Sequence, residues 1–302
     1  MTFELTCKVN FVELTKTGML IAGSFGNDIL FGTGGNDTIF ANDGDDSVNA
    51  GSGKDNIYGG DGNDSLHGED GNDSLYGEDG GDLLYGEDGN DSLYGGNGYN
   101  ALDGGNGNDY LEGGSDVDYI SAGSGKDTVF GGAGYDQIGA GPGNDTVYGG
   151  SDGDQINGDA GNDRLYGDSG NDILTGGRDE NNGNDALYGG DGDDLLIGSE
   201  SAAYGGSGYD TLTGGTGFDT FVLGEGSDIY YQGSGIATIT DWQPGTDRIQ
   251  VALSSAYNDY NIEFANRSGS SALDSVIYYQ DHIIGVVQDT TNVSIAADFV
   301  FV

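Results

Sequence analysis

From Asp28 onward the chain repeats one pattern with a period of nine. Steps of nine land on Asp28, Asp37, Asp46, Asp55, Asp64, Asp73, Asp82, Asp91, Asn100, Asp109, Asp118, Asp127, Asp136, Asp145, Asp154, Asp163 and Asp172, so 16 of 17 units carry aspartate in phase. Two residues after each stands an aliphatic, from Leu30, Ile39 and Val48 through Leu174. Two residues before each stands glycine, except at Asp116 and Asp152. A period this short, held for so long, leaves few folds open. Collagen needs glycine every third residue, helical solenoids need longer and glycine-poor units, and a disordered acidic chain would not hold an aliphatic in phase.

What remains is a glycine-rich turn filling two thirds of the unit, followed by a short extended segment filling the rest. The middle residue of that segment points inward and its neighbours outward. Two units make one coil, with a strand and a turn on each side. The chain is thus expected to be all-β.

Charge narrows the partners. Among 302 residues, 52 acids face 8 bases, for a net charge of −44, with 62 glycines and 2 prolines. A compact state with that charge repels itself unless counterions are built in. Nucleic acids and anionic membranes recruit clustered Lys and Arg, so the expected partners are cations. One cysteine, Cys7, excludes an intramolecular disulfide framework and a cysteine-based zinc site. No apolar run is long enough to span a membrane, and the first residues lack the layout of a usual cleaved signal peptide.

The unit Gly59-Gly60-Asp61-Gly62-Asn63-Asp64-Ser65-Leu66-His67 resembles the haemolysin-type, or RTX (repeats-in-toxin), calcium-binding nonapeptide G-G-x-G-x-D-x-U-x. The resemblance covers roughly residues 23 to 231. It implies a right-handed parallel β-roll with calcium held between stacked turns. It also implies a ligand set: one turn supplies the carbonyls of its second and fourth positions and its Asp. The turn two units on supplies the carbonyls of its first and third positions and its own Asp. One such site would join Gly60, Gly62 and Asp64 to Gly77, Asp79 and Asp82, and 17 units would make about 15 sites.

Elementary chemistry agrees. Calcium takes six to eight hard oxygens in tolerant geometry, and glycine-rich turns aim several carbonyls into one space. Parallel strands stack about 4.8 Å apart, so carboxylates on successive turns repel unless a cation lies between them. One aliphatic per unit is a thin core, so folding is expected to be coupled to metal binding.

After Asp172 the phase breaks twice, at the extra residues around Arg178–Asn182 and at the short stretch Gly198–Tyr204. Further ligands are expected at Asp185, Asp194, Asp210, Asp219 and Asp228, with the side running through Asp194, Asp210 and Asp228 the more regular. Asn100 puts a neutral oxygen where a carboxylate belongs and should weaken both sites it shares.

The ninth position alternates in character. On one side it reads Phe40, Tyr58, Tyr76, Tyr94, Glu112, Phe130, Tyr148, Tyr166, Tyr188, Tyr204, predicting an outward aromatic ladder interrupted at Glu112. Such a face stiffens a sheet, or meets surface glycans or another copy of the chain.

The predicted organisation is a cap strand region over 1–22, the roll over 23–231 and a small β cap over 232–302. The stretch Ile239–Ile249 is similar to the segment after the roll in serralysin-type secreted proteins. The end Asp298-Phe299-Val300-Phe301-Val302 resembles a terminus read by a type I secretion apparatus.

No enzyme is expected. The histidines are His67 and His282 alone, and H-E-x-x-H is absent. Gly149-Gly150-Ser151-Asp152-Gly153 satisfies G-x-S-x-G but falls inside a turn rather than at a strand-to-helix elbow. The reading is a secreted, extracellular calcium-binding repeat protein with a structural, cell-surface or adhesive role. Its alternatives are an ice-binding roll, disfavoured by aspartate at many third positions, or a non-catalytic secretion module.

Overall fold

The computed structural model describes residues 11–14, 18–177, 183–198, 208–225, 228–231, 235–252, 259–267, 269 and 271–302, without the side chains of residues 11–14, 225 and 228. Cys7, part of the expected N-terminal cap, Arg178–Asn182 and most of the stretch after Gly198 lie outside the described residues. The chain divides into two compact units, residues 1–139 and 140–302.

In the first unit the chain alternates between two sheets of parallel strands. One sheet runs through Met19–Ala22, Thr38–Phe40, Asn56–Asp61, Ser74–Asp79, Ser92–Asn97, Tyr110–Ser115 and Thr128–Ala133. The other runs through Ile29–Thr33, Ser47–Gly53, Ser65–Gly71, Leu83–Gly89, Ala101–Asp103, Tyr119–Ser121 and Gln137–Gly139. Each strand pairs with its counterpart one full coil on, as in Leu66↔Leu84 and Leu75↔Leu93. Phe11–Leu14 joins Met19–Ala22 antiparallel. Several strands are longer than expected because they reach into the turns, as in Asn56–Asp61 and Ser65–Gly71.

The second unit repeats the plan. Thr146–Ser151, Arg164–Ser169, Ala186–Asp191, Tyr209–Thr216 and Ile236–Ile239 form one parallel run, and Gln155–Asn157, Ile173–Thr175, Leu195–Ile197, Thr220–Val222 and Arg248–Val251 the other. His282–Val287 then adds parallel to Ile236–Ile239 and carries Asp274–Tyr279 and Tyr260–Ala265 antiparallel beside it. The short helix Ile295–Asp298 leads into Phe299–Phe301, which pairs parallel with Arg248–Val251. The fold is a parallel β-roll with a C-terminal β cap. Among the described residues no helix is long and apolar enough to cross a membrane.

The alternation rule places the core. The repeat aliphatics lie inward at 0–4 % exposure, including Leu30, Val48, Leu66, Leu84, Leu75, Leu93, Val147, Leu165 and Leu187. Two residues on, the repeat units carry only glycine or alanine, with Ala41, Ala50, Ala122 and Ala140 fully buried. The interior is thus one row of aliphatics per sheet and little else.

The late irregularities resolve differently from the expectation that Asp210 continues the side of Asp194. Register is kept across longer coils, in Leu165↔Leu187 and then Leu187↔Leu212 on one sheet. The opposite sheet lengthens in step, with Leu174↔Leu196 followed by Leu196↔Phe221. The described strands on either side of these stretches pair directly, with no further rung between them. Asp210 therefore follows Asp185, and Asp219 follows Asp194. A turn takes insertions because it faces solvent, whereas a strand cannot slip without moving its aliphatic out of the core.

Leu75→Ala would open a cavity among neighbouring leucines that cannot collapse inside a stack fixed by pairing on both sides. The expected cost is about 2–5 kcal/mol, read from denaturant unfolding at saturating calcium.

Candidate metal centre

Every phase aspartate from Asp28 through Asp219, with Asn100, is buried to 3 % exposure or less, although each sits in a turn. The two oxygens of each carboxylate face opposite ways. Oδ1 faces the preceding turn, where it accepts a main-chain N–H: Asp64 donates to Asp82 at 2.8 Å, Asp73 to Asp91 at 2.7 Å and Asp109 to Asp127 at 2.8 Å. In the second unit Asp145 donates to Asp163, Asp154 to Asp172, Asp163 to Asp185, Asp172 to Asp194 and Asp185 to Asp210, at 2.7–2.9 Å.

Oδ2 faces the following turn. A Cβ built on Gly59 would lie against Asp64 Oδ2 and 2.8 Å from the Gly77 carbonyl. One built on Gly77 would lie against Asp82 Oδ2 and 2.6 Å from the Gly95 carbonyl. A first-position carbonyl therefore points back at the preceding turn's Oδ2. Fourth-position carbonyls point forward: the Gly44 carbonyl blocks any side chain on Gly62, whose φ of +142° only glycine adopts freely. Third-position carbonyls point back, accepting Gly62 N–H at Asp79 (2.8 Å) and Gly80 N–H at Asn97 (2.9 Å).

Between the turns at 59–64 and 77–82 the structure thus brings Asp64 Oδ2, Asp82 Oδ1 and the carbonyls of Gly62, Gly77 and Asp79 to one gap. Gly60, the remaining expected donor, has the second-position backbone φ of +113°. The exposed Asp79 side chain takes no part; only its carbonyl does.

These gaps are short of positive charge. The Oδ2 atoms of Asp46, Asp55, Asp64, Asp73, Asp82, Asp91, Asp109, Asp118, Asp163, Asp172, Asp194 and Asp219 are buried with no hydrogen-bond partner. A buried carboxylate oxygen without a partner costs heavily, and its recurrence at successive rungs fits a cation in each gap. No three His, Cys, Asp or Glu side chains converge among the described residues. The donor set is two carboxylates plus carbonyls, all hard oxygen, which suits calcium and not zinc.

Without a cation the buried carboxyls bind protons more readily than exposed ones do. Burial raises Asp46, Asp55, Asp64, Asp82, Asp109 and Asp219 to about 6, against the lowering effect of the N–H each accepts. It raises Asp91, Asp118, Asp163 and Asp194 to about 7. Repulsion between rungs adds to this, as Asp109 and Asp73 do at Asp91.

At the ends of the ladders the outer carboxylate oxygens have protein donors. Asp28 Oδ2 accepts the N–H and the hydroxyl of Ser24, and Asp37 Oδ2 those of Thr33. Ser24 and Thr33 hold the second position of their turns. In later turns that position takes a left-handed backbone, at Asn42, Glu69, Glu78, Glu87, Asp159 and Asp168 with φ of 64–78° or at glycine. At the far end Tyr231, fully buried, donates its hydroxyl to Asp210 Oδ2 at 2.7 Å. On the other ladder Asp219 N–H reaches Asp247 Oδ1 at 3.4 Å, and Asp247 Oδ2 accepts Gln243 N–H at 2.7 Å. Asp241 accepts the N–H groups of Gly214 and Gly215 at 2.9 and 2.7 Å. The backbone of Asp228 lies outside the strand rungs that carry the ladders. It pairs antiparallel with Gly224–Glu225, the Asp228 side chain lies outside the described residues, and Ala237 occupies the rung after Asp210.

A second ladder escapes the repeat pattern as read from sequence. The side chain one residue before the phase position links turns in the opposite sense: Asn27 Oδ1 accepts Asp45 N–H, Asp45 accepts Asn63 N–H and Asn63 accepts Gly81 N–H, at 3.0–3.1 Å. Its signal is the recurring Asn or Asp at that position.

The model of the RTX calcium-binding nonapeptide repeat matches residues 22–202 and 204–239. The chain belongs to the RTX calcium-binding repeat family. It is a calcium-binding repeat protein. No curated protein matches this RTX chain in sequence. Among solved structures, the extracellular lipase LipA from Serratia marcescens is similar at 16% identity and a TM-score of 0.27, covering 84% of this chain and 41% of that one. This RTX chain thus spans less than half the length of that lipase.

Calcium must displace protons from carboxyls at about 6–7 that sit near 3.9 when unfolded. Between about 4 and 7 the metal-free fold binds more protons than the unfolded chain, so its stability falls as pH rises through that window. Calcium binding runs the other way. Its midpoint should move to higher free calcium as pH drops from about 8 to about 5; isotherms with a constant midpoint would contradict these site assignments.

Proposed function

We propose that this chain is a secreted, non-catalytic RTX protein that folds as it fills with calcium and serves as a structural or surface element outside the cell. The observation that carries this reading is the row of buried, unpartnered Oδ2 atoms facing backbone carbonyls of the next turn. A chain of net charge −44 with such a row is held apart by its own carboxylates until cations enter. About a dozen or more ions fit the repeated gaps, the number expected when each pair of turns shares one. Extracellular calcium near 10⁻³ M lies in the range of extracellular modules, and a chain unfolded at lower calcium suits a type I exporter. The C-terminal Phe299–Phe301, part of the expected export signal, is a paired strand once folded, so recognition by an exporter would precede folding.

The non-catalytic reading is supported by the setting of the G-x-S-x-G residues. Ser151 ends the strand Thr146–Ser151, in a turn that leads to the strand Gln155–Asn157, with no helix behind it. Calcium removal tests the main proposal. A chelator should abolish most of the β-sheet circular dichroism, and re-added calcium should restore it. A chain that keeps its full β signal without metal would defeat the coupling.

A second feature favours a contact role. Phe40, Tyr58, Tyr76 and Tyr94 stack with centroids 4.8 Å apart and planes within 9°. The expected interruption at Glu112 is bridged: Tyr110 packs between Tyr94 and Phe130 at 5.5 and 5.6 Å, with its hydroxyl on Glu112 at 2.9 Å. In the second unit Tyr148, Tyr166 and Tyr188 stack at 4.8 Å. The outward residues beside the first run, Thr38, Asn56, Ser74 and Ser92, are uncharged. This neutral aromatic strip in a strongly acidic protein suits a glycan or a second copy. Replacing Tyr58, Tyr76 and Tyr94 with Ser should abolish association, measured by sedimentation or glycan-array binding, without unfolding. Undiminished association would remove this role.

A further inference from the structure

We propose that the gap between the turns ending at Asn100 and Asp118 holds no calcium, because the Asn100 side-chain amide takes the cation's place. This rests on the calcium reading above and concerns a single rung of it.

The orientation of the Asn100 amide is set by its neighbours. Asp82 N–H donates to Oδ1 at 3.0 Å, the same bond that the phase carboxylates make with the preceding turn. Oδ1 therefore faces back, and Nδ2 is left where the other turns place Oδ2. A Cβ built on Gly95 would lie 2.7 Å from Asn100 Nδ2, as one on Gly86 would lie 2.7 Å from Asp91 Oδ2. The side chain is fully buried.

From there the NH₂ group does what a cation would do. It donates to the Gly98 carbonyl at 3.0 Å and to the Gly113 carbonyl at 3.4 Å. Gly98 is the fourth position of its own turn and Gly113 the first position of the next, two of the oxygens that face each other across a gap. The Asn100 main-chain N–H donates to Asp118 Oδ1 at 2.7 Å. A calcium ion in this gap would lie against two hydrogens bearing partial positive charge and would find one carboxylate instead of two. Sharing a neutral oxygen weakens a site; presenting a donor closes it.

The effect on the two sites beside Asn100 is therefore unequal. The gap toward Asp82 keeps Asp82 Oδ2, the Asn100 carbonyl-type Oδ1 and the backbone oxygens, and loses one formal charge. The gap toward Asp118 is sealed by protein. Elsewhere each carboxylate lies between two gaps and couples the ions in them. At Asn100 that coupling stops, so this ladder is cut into one run before Asn100 and another from Asp118, while the ladder through Asp91 and Asp109 passes uninterrupted.

Bound calcium per chain, counted by atomic emission after equilibrium dialysis against saturating free calcium, tests this. Asn100→Asp should bind one more ion than the wild type. Asp64→Asn, which copies the same amide into an ordinary turn, should bind at least one fewer. Should Asn100→Asp fail to fold, Asp64→Asn decides, and an unchanged count there overturns the inference. A loaded wild type and an Asn100→Asp protein with equal counts overturn it as well, as does a calcium ion between the Gly98 and Gly113 carbonyls in a calcium-loaded crystal. A wild type that binds no calcium at all overturns the calcium reading itself, a result separate from these.

Discussion

The structure depends on carboxylate oxygens buried between stacked turns. A typical phase aspartate, such as Asp82, is fixed from behind by an N–H of the preceding turn and points its other oxygen at the carbonyls of the next. At Asp46, Asp55, Asp64, Asp73, Asp82, Asp91, Asp109, Asp118, Asp163, Asp172, Asp194 and Asp219 that oxygen is buried and without a hydrogen-bond donor. Sheet pairing at about 4.8 Å forces these oxygens into a column, so the pairing that forms the fold also creates its main electrostatic penalty. A divalent cation between two such oxygens would remove the penalty and tie the turns together.

The exceptions show how the chain closes the column where no further turn follows. Ser24 and Thr33 satisfy the first carboxylates with an N–H and a hydroxyl, Tyr231 satisfies Asp210 with a phenol, and Gln243 satisfies Asp247 with an N–H. In each case a neutral donor meets the carboxylate. The aliphatic core ends in a similar way, with Trp242 packing 6.3 Å from Phe221 and the strand Phe299–Phe301 laid on Arg248–Val251. Asn100 places a neutral donor in the middle of a ladder.

Much of this is legible in the nonapeptide period. The period itself separates turn from strand, places Leu66 and Leu84 in the core and puts Asp64 and Asp82 on successive turns, because a parallel stack repeats whatever the sequence repeats. Legibility fails where the sequence departs from period. Counting alone puts Asp210 after Asp194, whereas strand pairing sets Asp210 beside Asp185 and Asp219 beside Asp194. Counting also enrols Asp228, whose backbone instead belongs to a short antiparallel pair. Tyr110 could not be foreseen as the bridge over Glu112, since its place depends on how two adjacent rings leave room for it.

The sequence by itself determined the architecture, the ligand chemistry and the family, because a strict repeat leaves the chain one way to pair with itself and one oxygen-rich face per turn. Only the tertiary structure decided which oxygens still lack a partner. That depends on contacts between residues a full coil apart, on the backbone sign at the second position of each turn, and on which atom of Asn100 faces forward. A pattern of residue types records what each turn offers. Whether the offer is already taken is settled by the neighbour that the coil brings alongside.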